Sequence, residues 1–181
     1  MQPALFATES DGKPDERNRQ AKKVQTVVKQ TCAQAGIDLE LKVIQGSVYF
    51  AADPGNPDTN QKFWADLQQY AFSMDSPDPW RTMDQYTSAE FAGRHNKWLG
   101  RNVTRWRSDE YDRVHAAART ELDPVKRAAM IIRLNDLVVE GRHVLPLVMR
   151  PQVSGHVRNL VAPVSAWGNS MVWLPHWYRT A

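Results

Sequence analysis

The clearest structural pattern of the chain lies in KKVQTVVKQTCAQAGIDLELKVI, residues 22–44. Apolar side chains recur at helical spacing in its first part, which predicts a helix over residues 15–35. Gly36 supplies the C-terminal stop of that helix. Residues 37–44 then alternate apolar and polar side chains, as a half-buried strand does. A helix that meets a strand through one glycine is typical of an α/β or α+β fold.

A second strand follows a turn-rich loop. ADLQQYAFSM, residues 65–74, predicts a strand that carries Tyr70, Phe72 and Met74 on one face. The segment SPDPW, residues 76–80, ends this strand, because proline cannot donate to a strand ladder. The strand therefore delivers aromatic side chains directly to an acidic, proline-rich turn.

The second half of the chain predicts a long irregular stretch and then two helices. Residues 81–107 carry no regular pattern, and loops of that length are often functional. The first helix is predicted over residues 108–120, and the second begins at Asp123 and Pro124, a cap and first-turn pair. Residues 143–150, HVLPLVMR, predict a buried strand. The inward positions of the two helices are Tyr111, Val114, His115 and Ala118, and then Ala128, Ile131, Leu134 or Ile132, and Val138.

Composition excludes several classes of function. The 181 residues are enough for one domain or two small ones, and 23 basic residues are interspersed with 20 acidic ones. That balance does not predict a nucleic-acid partner. The chain contains no apolar run of about 18 residues, so no membrane span is predicted. Cys32 is the only cysteine, which excludes a disulfide framework. The seven tryptophans are unusually many, and several lie among polar neighbours, where large rings suit ligand or partner contacts.

The residues suggest three candidate kinds of site: a metal site, an RNA-binding site and an acid/base pair. The five histidines have no metal-ligand spacing, so neither a metal nor another cofactor is expected. KWLGRNVTRWR, residues 97–107, mixes cations and aromatics but lies in no RNA-binding signature, and its Asn102-Val103-Thr104 sequon is too short to be specific. Asp75 and Asp78 are either the acid/base pair of a small hydrolase or turn residues that cap backbone amides, and their spacing favours the turn.

Four blocks in order resemble the C-terminal part of a known family, the extracytoplasmic solute-binding proteins of peptide/opine/nickel ABC transporters (family 5). The blocks are the helix and strand quoted first; YAFSMDSPDP; SDEYDRVHAAARTELDPVKRAAMIIRLNDLVVEGRHVLPLVMR; and NKWLGRNVTRW with the tail SAWGNSMVWLPHWYR. The last pair is similar to a rhizobial-type subgroup. One departure is that Ala71-Phe72 stands where the family has Gly-Trp.

The resemblance implies the architecture. We expect an α/β chain that is the C-terminal part of a two-lobed periplasmic binding protein, type II-like, with a mixed sheet and flanking helices. Residues 1–143 would be the ligand-binding segment of the second lobe, and residues 144–181 would return to the first lobe. Family members are longer and carry a signal sequence and a first lobe. The chain shows no signal peptide, so we expect a truncated piece of a periplasmic parent.

The resemblance also implies a binding site and not an enzyme. Asp75 would pair with the ammonium group of a peptide, Phe72 would wall the pocket, and Tyr70 would add a wall or a hydroxyl. Asp78 would hold the turn that aims Asp75. Further crevice-lining residues are expected at Trp80, Trp98, Arg105 and Trp106. The implied partners are a peptide or opine-like solute and ABC permease subunits, with a monomeric full-length protein.

Overall fold

The computed structural model describes residues 4–10, 16–53, 55–62, 64–71, 76–149, 155–163 and 170–180. The chain divides into two compact units. The sheet unit comprises Met1–Ala71 and Gln85–Ser108, and the helical unit comprises Phe72–Asp84 and Asp109–Ala181.

Helices and strands occur in both units. Those of the sheet unit are β1 (Ala4–Ser10), α1 (Glu16–Gln34), β2 (Leu39–Gln45), α2 (Gly46–Tyr49) and β3 (Leu67–Gln69), with short 3-10 turns at Ser88–Glu90 and Arg94–Asn96. Those of the helical unit are α3 (Trp80–Asp84), α4 (Asp109–Thr120), α5 (Pro124–Glu140), β4 (Leu160–Val161), a 3-10 turn at Ser170–His176, and β5 (Tyr178–Arg179).

A three-stranded parallel sheet organises the sheet unit. Its order is β2-β1-β3, with Ala4 opposite Leu39 on one side of β1 and Phe6 opposite Leu67 on the other. Helix α1 makes the crossover between the parallel strands β1 and β2, which parallel pairing requires. The expected α/β class with flanking helices is confirmed. The sequence patterns do not predict β1, and they predict a longer β3 than the three residues observed.

Helix α1 matches the predicted range to within a residue, and Gly36 ends it with φ of +80°. Val24, Val28 and Cys32, which recur at helical spacing, are half-buried on the face that meets the sheet. The fully buried side chain on this face is Gln25, whose Nε2 donates to the Phe6 carbonyl in β1 at 3.1 Å. A polar side chain is tolerated here because the hydrogen bond offsets its desolvation.

The core of the sheet unit lies between β1, β2 and the chain that follows them. Ala7, Ile44, Tyr49 and Ala65 form the buried cluster, and Tyr70 packs against it. Strand β2 does not show the clean alternation that its sequence predicts. Its buried side chains are Leu39 and Ile44, whereas Val43, expected to face inward, is half exposed.

The helical unit follows its sequence pattern except at Ala128, which was predicted to face inward and is exposed. Tyr111, His115 and Ala118 are buried on α4, and Leu134 and Val138 on α5, so Leu134 and not Ile132 faces inward. The Asp123 side chain accepts hydrogen bonds from the amides of Val125 and Lys126, with Pro124 at the first helical position, as predicted. No helix among the described residues is long and apolar enough to cross a membrane.

The predicted buried strand at residues 143–150 is wrong. Residues 144–149 have no regular structure, and the side chains of Leu145, Leu147, Val148 and Met149 are exposed, Met149 to 96%. Apolar character alone suggested burial. Burial also needs a second surface, and the described residues supply none for this segment.

Candidate functional site

Aromatic side chains gather where strands β2 and β3 end. Tyr49 and Phe50 come from α2 and the residue after it, and Tyr70 directly follows β3. The Tyr49 ring lies 5.0 Å from Phe50 and 6.1 Å from Tyr70, and Phe50 lies 6.1 Å from Tyr70. We call these three residues the edge cluster. In open α/β sheets ligands bind outside the carboxyl ends of the strands, and the edge cluster lies there.

The edge cluster offers apolar surface and neutral hydroxyls. The buried Tyr49 donates its hydroxyl to Gln68 Oε1 at 2.7 Å, whereas Phe50 is 48% exposed. Burial raises the pKa of Tyr70, and burial together with the neighbouring Tyr70 raises the pKa of Tyr86 to about 12. Both phenols therefore stay protonated near neutral pH. Any charge that recognises a ligand here must come from another residue.

Sequence reasoning found Tyr70 but missed Tyr49 and Phe50. The available signal was an aromatic pair that comes soon after the carboxyl end of β2. Phe72 and Asp75, the predicted wall and ammonium partner, lie outside the described residues. Their placement stays a prediction, and they follow Tyr70 closely in the chain.

A small depression beside the edge cluster is too small to enclose a peptide. Its volume is about 10 Å³, roughly the room for one water molecule, and its lining includes Tyr49, Gln68, Asp58 and Trp64. Pockets that bury a whole small ligand usually measure roughly 300–1,000 Å³. Its acid, Asp58, pairs with Lys42 at 2.8 Å, and Lys42 lies 4.3 Å from the centre of the Trp64 ring. The depression therefore offers one wall of a site and no unpaired carboxylate.

Trp98 and Arg105, two of the predicted crevice residues, are brought together in the sheet unit. The guanidinium lies 5.2 Å from the centre of the Trp98 ring. It also donates to the backbone carbonyls of Ala92 at 3.2 Å and of Gln61 and Lys62. Burial lowers the pKa of Arg105. Arg105 thus links two loops of the sheet unit through hydrogen bonds to their backbone carbonyls. Its predicted role in lining the crevice stays a prediction.

Asn102 holds the loop that carries these residues, a role that the sequence did not reveal. It is 1% exposed, and its Nδ2 donates to the carbonyls of Trp106 at 2.9 Å, Thr87 at 3.1 Å and Tyr86 at 3.4 Å. Its Oδ1 accepts from the Thr104 hydroxyl at 3.0 Å. The two polar residues of the discarded sequon therefore serve the fold. Trp106, also predicted to line the crevice, is half-buried in this loop.

Asp78 has the turn role that the sequence predicts for it. Its Oδ1 accepts from the Trp80 amide at 3.0 Å, and Arg127 donates to both of its oxygens at 3.1 and 3.0 Å. The Trp80 amide and Arg127 hold the pKa of this carboxyl below its usual range, against a smaller effect of burial. These contacts give no support to the alternative of a hydrolase that uses Asp75 and Asp78.

Trp80, another predicted crevice residue, packs within the helical unit. The Trp80 ring stacks on the His115 ring, with 3.9 Å between the ring centres and 23° between the ring planes. The Tyr111 ring, also on α4, lies nearly parallel to the His115 ring, with 6.2 Å between their centres. The His115 Nε2 lies 3.5 Å from an Asp84 oxygen but makes no hydrogen bond to any described residue. This separation is an electrostatic contact and not a hydrogen bond, because 3.5 Å is longer than the usual N–H···O distance. His115 is a core histidine.

The free energy of unfolding should decrease as the pH is lowered through the range in which His115 titrates. Burial lowers the pKa of His115 below 6.5, Asp84 and Asp112 raise it by less, and Arg119 lowers it further. The unfolded state then binds the proton more readily, so the free energy of unfolding should drop as pH falls through about 6.5. His115→Phe should remove that slope in denaturant unfolding measured across this range, and His143→Gln at an exposed position should keep it. An unchanged slope in His115→Phe would contradict the assignment.

Among the described residues, no group of three or more histidine, cysteine or acidic side chains could hold a metal ion. The edge cluster thus offers aromatic surface for contact with a ligand.

The sequence matches no protein-family model and no curated protein sequence. The fold, however, is similar to a segment of a solved structure. The chain superposes on a crystal structure of the oligopeptide-binding protein from Thermus thermophilus, complexed with a pentapeptide, with a TM-score of 0.71 and 20% identity. The superposition covers 93% of this chain and 27% of that chain. This chain therefore spans about a quarter of the length of the protein that it resembles.

Proposed function

We propose that this chain is the peptide-binding part of a substrate-binding component of an ABC importer. The observation that carries the proposal is the fold likeness, which runs over 93% of the chain to a protein complexed with a pentapeptide. The proposed solutes are peptides or related amino-acid-derived compounds such as opines. The protein captures its solute and does not transform it.

The edge cluster supports this function through its chemistry. A peptide presents apolar side chains, amide groups and one ammonium group. The half-exposed Phe50 and the neighbouring Tyr70 supply apolar contact surface. The proposed partner of the ammonium group is Asp75, since a carboxylate makes a strong charge-assisted hydrogen bond to a cation.

The finer parts of the proposal concern the parent protein. We propose a periplasmic, two-lobed protein of family 5, monomeric at full length, in which this chain is the C-terminal portion. Residues 1–143 form the second-lobe segment, and residues 144–181 return to the first lobe. The exposed apolar side chains of residues 144–149 support this, because a first lobe would cover them. The parent delivers its solute to permease subunits in the inner membrane and needs no cofactor.

Asp75→Asn in the full-length parent is the direct test. Unmodified tri- to pentapeptides should bind about 100-fold more weakly to the variant, since a buried charge pair loses one partner, a loss of about 3 kcal/mol. Isothermal titration calorimetry with a defined peptide mixture measures this. N-acetylated peptides, which lack the ammonium group, should bind the original protein weakly and the variant no worse.

Asp78→Asn is the matched control, with the same charge change three positions away. It should lower the free energy of unfolding, because Asp78 caps the Trp80 amide and pairs with Arg127, but it should leave peptide affinity unchanged. Peptides recovered intact after long incubation with the parent would confirm binding without turnover. Full affinity in Asp75→Asn would overturn the site assignment, and hydrolysed peptides would overturn the function.

A further inference from the structure

One loop of the sheet unit carries a local excess of positive charge. Residues 91–107 contain five lysine and arginine side chains and no aspartate or glutamate, although the whole chain has 23 basic and 20 acidic residues. The five cations are Arg94, Lys97, Arg101, Arg105 and Arg107. We call residues 94–101, at the turn of this loop, the basic tip.

Three of the five cations remain available to a partner. Arg105 is occupied by backbone carbonyls, and Arg101 pairs with Glu90 at 3.0 Å. Arg94 and Lys97 are exposed and have no acidic partner among the described residues. Arg107 is also exposed and lies 4.4 Å from the centre of the Phe91 ring.

An exposed apolar side chain lies among these cations. Leu99 is 57% exposed and follows Lys97 and Trp98, whose φ angles are +53° and +64°. Backbone hydrogen bonds hold the turn: the Trp98 amide donates to Gly93 at 2.8 Å and the Leu99 amide to Asn96 at 3.0 Å. The turn is therefore preorganised, which reduces the entropy that binding would cost.

Cations of the chain already lie against two aromatic rings of this loop. Arg105 lies over one face of Trp98, and Arg107 lies over one face of Phe91. Single-stranded nucleic acids are gripped by exposed rings together with cations, and here the rings already have partners. A bilayer with anionic headgroups, in contrast, attracts Lys and Arg and accepts a shallow apolar side chain between the headgroups. The basic tip supplies both.

We propose that the basic tip docks this chain on an anionic phospholipid surface. Arg94 and Lys97 contact phosphate groups, and Leu99 inserts at the headgroup level. The contact is peripheral, reversible and weakened by salt, because it depends on exposed charges. It uses no residue of the edge cluster, and it stands or falls independently of peptide binding.

Vesicle sedimentation with the full chain tests the proposal. The chain should bind phosphatidylcholine vesicles that contain phosphatidylglycerol, and it should not bind vesicles of phosphatidylcholine alone. The double variant Arg94→Glu/Lys97→Glu should bind at least about 25-fold more weakly, since each cation near an anionic membrane contributes about a fivefold factor. Leu99→Ser should weaken binding about threefold to tenfold through lost apolar contact.

The matched control is Lys22→Glu/Lys23→Glu, which makes the same charge change at two exposed positions of α1. It should keep vesicle binding within about twofold, because screening limits the reach of exposed charges to about 10 Å. Circular dichroism confirms that all variants are folded. Equal loss in the control would reduce the effect to net charge and overturn the proposal. So would absence of binding by the original chain, or a single-stranded oligonucleotide or an acidic protein binding the tip in preference to the vesicles.

Discussion

Asn102→Asp should destabilise the chain by about 3–5 kcal/mol at neutral pH, although it changes one amide nitrogen to oxygen. The Nδ2 of Asn102 faces the carbonyls of Trp106, Thr87 and Tyr86 from a position that is 1% exposed. A carboxylate there cannot donate to these carbonyls and places a buried negative charge against three oxygens. The loss should shrink as pH falls, because the protonated carboxyl carries no charge and regains one donor.

Denaturant unfolding followed by tryptophan fluorescence, at neutral and acidic pH, measures both effects. Asn56→Asp is the matched control, since the Asn56 Oδ1 accepts from the Asp58 amide at 2.9 Å and a carboxylate oxygen does the same. It should change the free energy of unfolding by less than about 0.5 kcal/mol. Equal stability of the two variants would show that Asn102 does not hold the loop.

Local signals predicted those parts of the fold that depend on neighbouring residues. Asp123 and Pro124 start α5 and Gly36 ends α1 where the sequence places them, because a cap and a left-handed glycine act within one turn of chain. The buried face of α4 also follows its periodicity. Each of these features is complete within about a dozen residues.

The features that the sequence did not predict depend on contacts between distant residues. Strand β1 lies between two partner strands and needs no alternation of its own to be held there. Residues 144–149 are apolar yet exposed, because a surface elsewhere decides burial. Gln25 is buried because β1 offers it a carbonyl. None of these outcomes can be inferred from a pattern within the segment concerned.

The sequence predicted those residues of the candidate site that lie next to a recognisable strand or turn. The family resemblance implied a site role for Tyr70, and the turn role of Asp78 was predicted because proline-flanked aspartates cap backbone amides. Tyr49 and Phe50 were missed, since their neighbour Tyr70 is twenty residues away in the chain. Arg105 was expected to line the crevice, whereas its backbone carbonyl partners at Gln61 and Lys62 depend on folding.

Gly100→Ala should cost about 3 kcal/mol, the upper part of the range for inserting a group into a packed site. A Cβ at Gly100 would collide with the Glu90 carbonyl oxygen and lie 2.8 Å from the Ala92 amide nitrogen. Both are backbone atoms, so no side chain can rotate away. They are also bonded to Asn102, whose amide donates to Glu90 at 2.8 Å and whose carbonyl accepts from Ala92 at 3.2 Å. Relief of the clash therefore breaks the bridge between the two arms of the loop.

Gly155→Ala is the matched control, because a Cβ there meets nothing within 4 Å, and it should change the free energy of unfolding by less than about 0.5 kcal/mol. A glycine can be required for a positive φ angle or for close packing, and Gly36 shows only the first: its φ is +80° and a Cβ there would meet nothing within 4 Å. Gly36→Asn should therefore cost less than Gly36→Ala, since asparagine tolerates the left-handed region. At Gly100 the order should reverse, with asparagine worse than alanine, because the larger side chain enters the same closed space. The same order at both glycines would mean that Gly100 is required for its backbone angles and not for the contact between the loop arms.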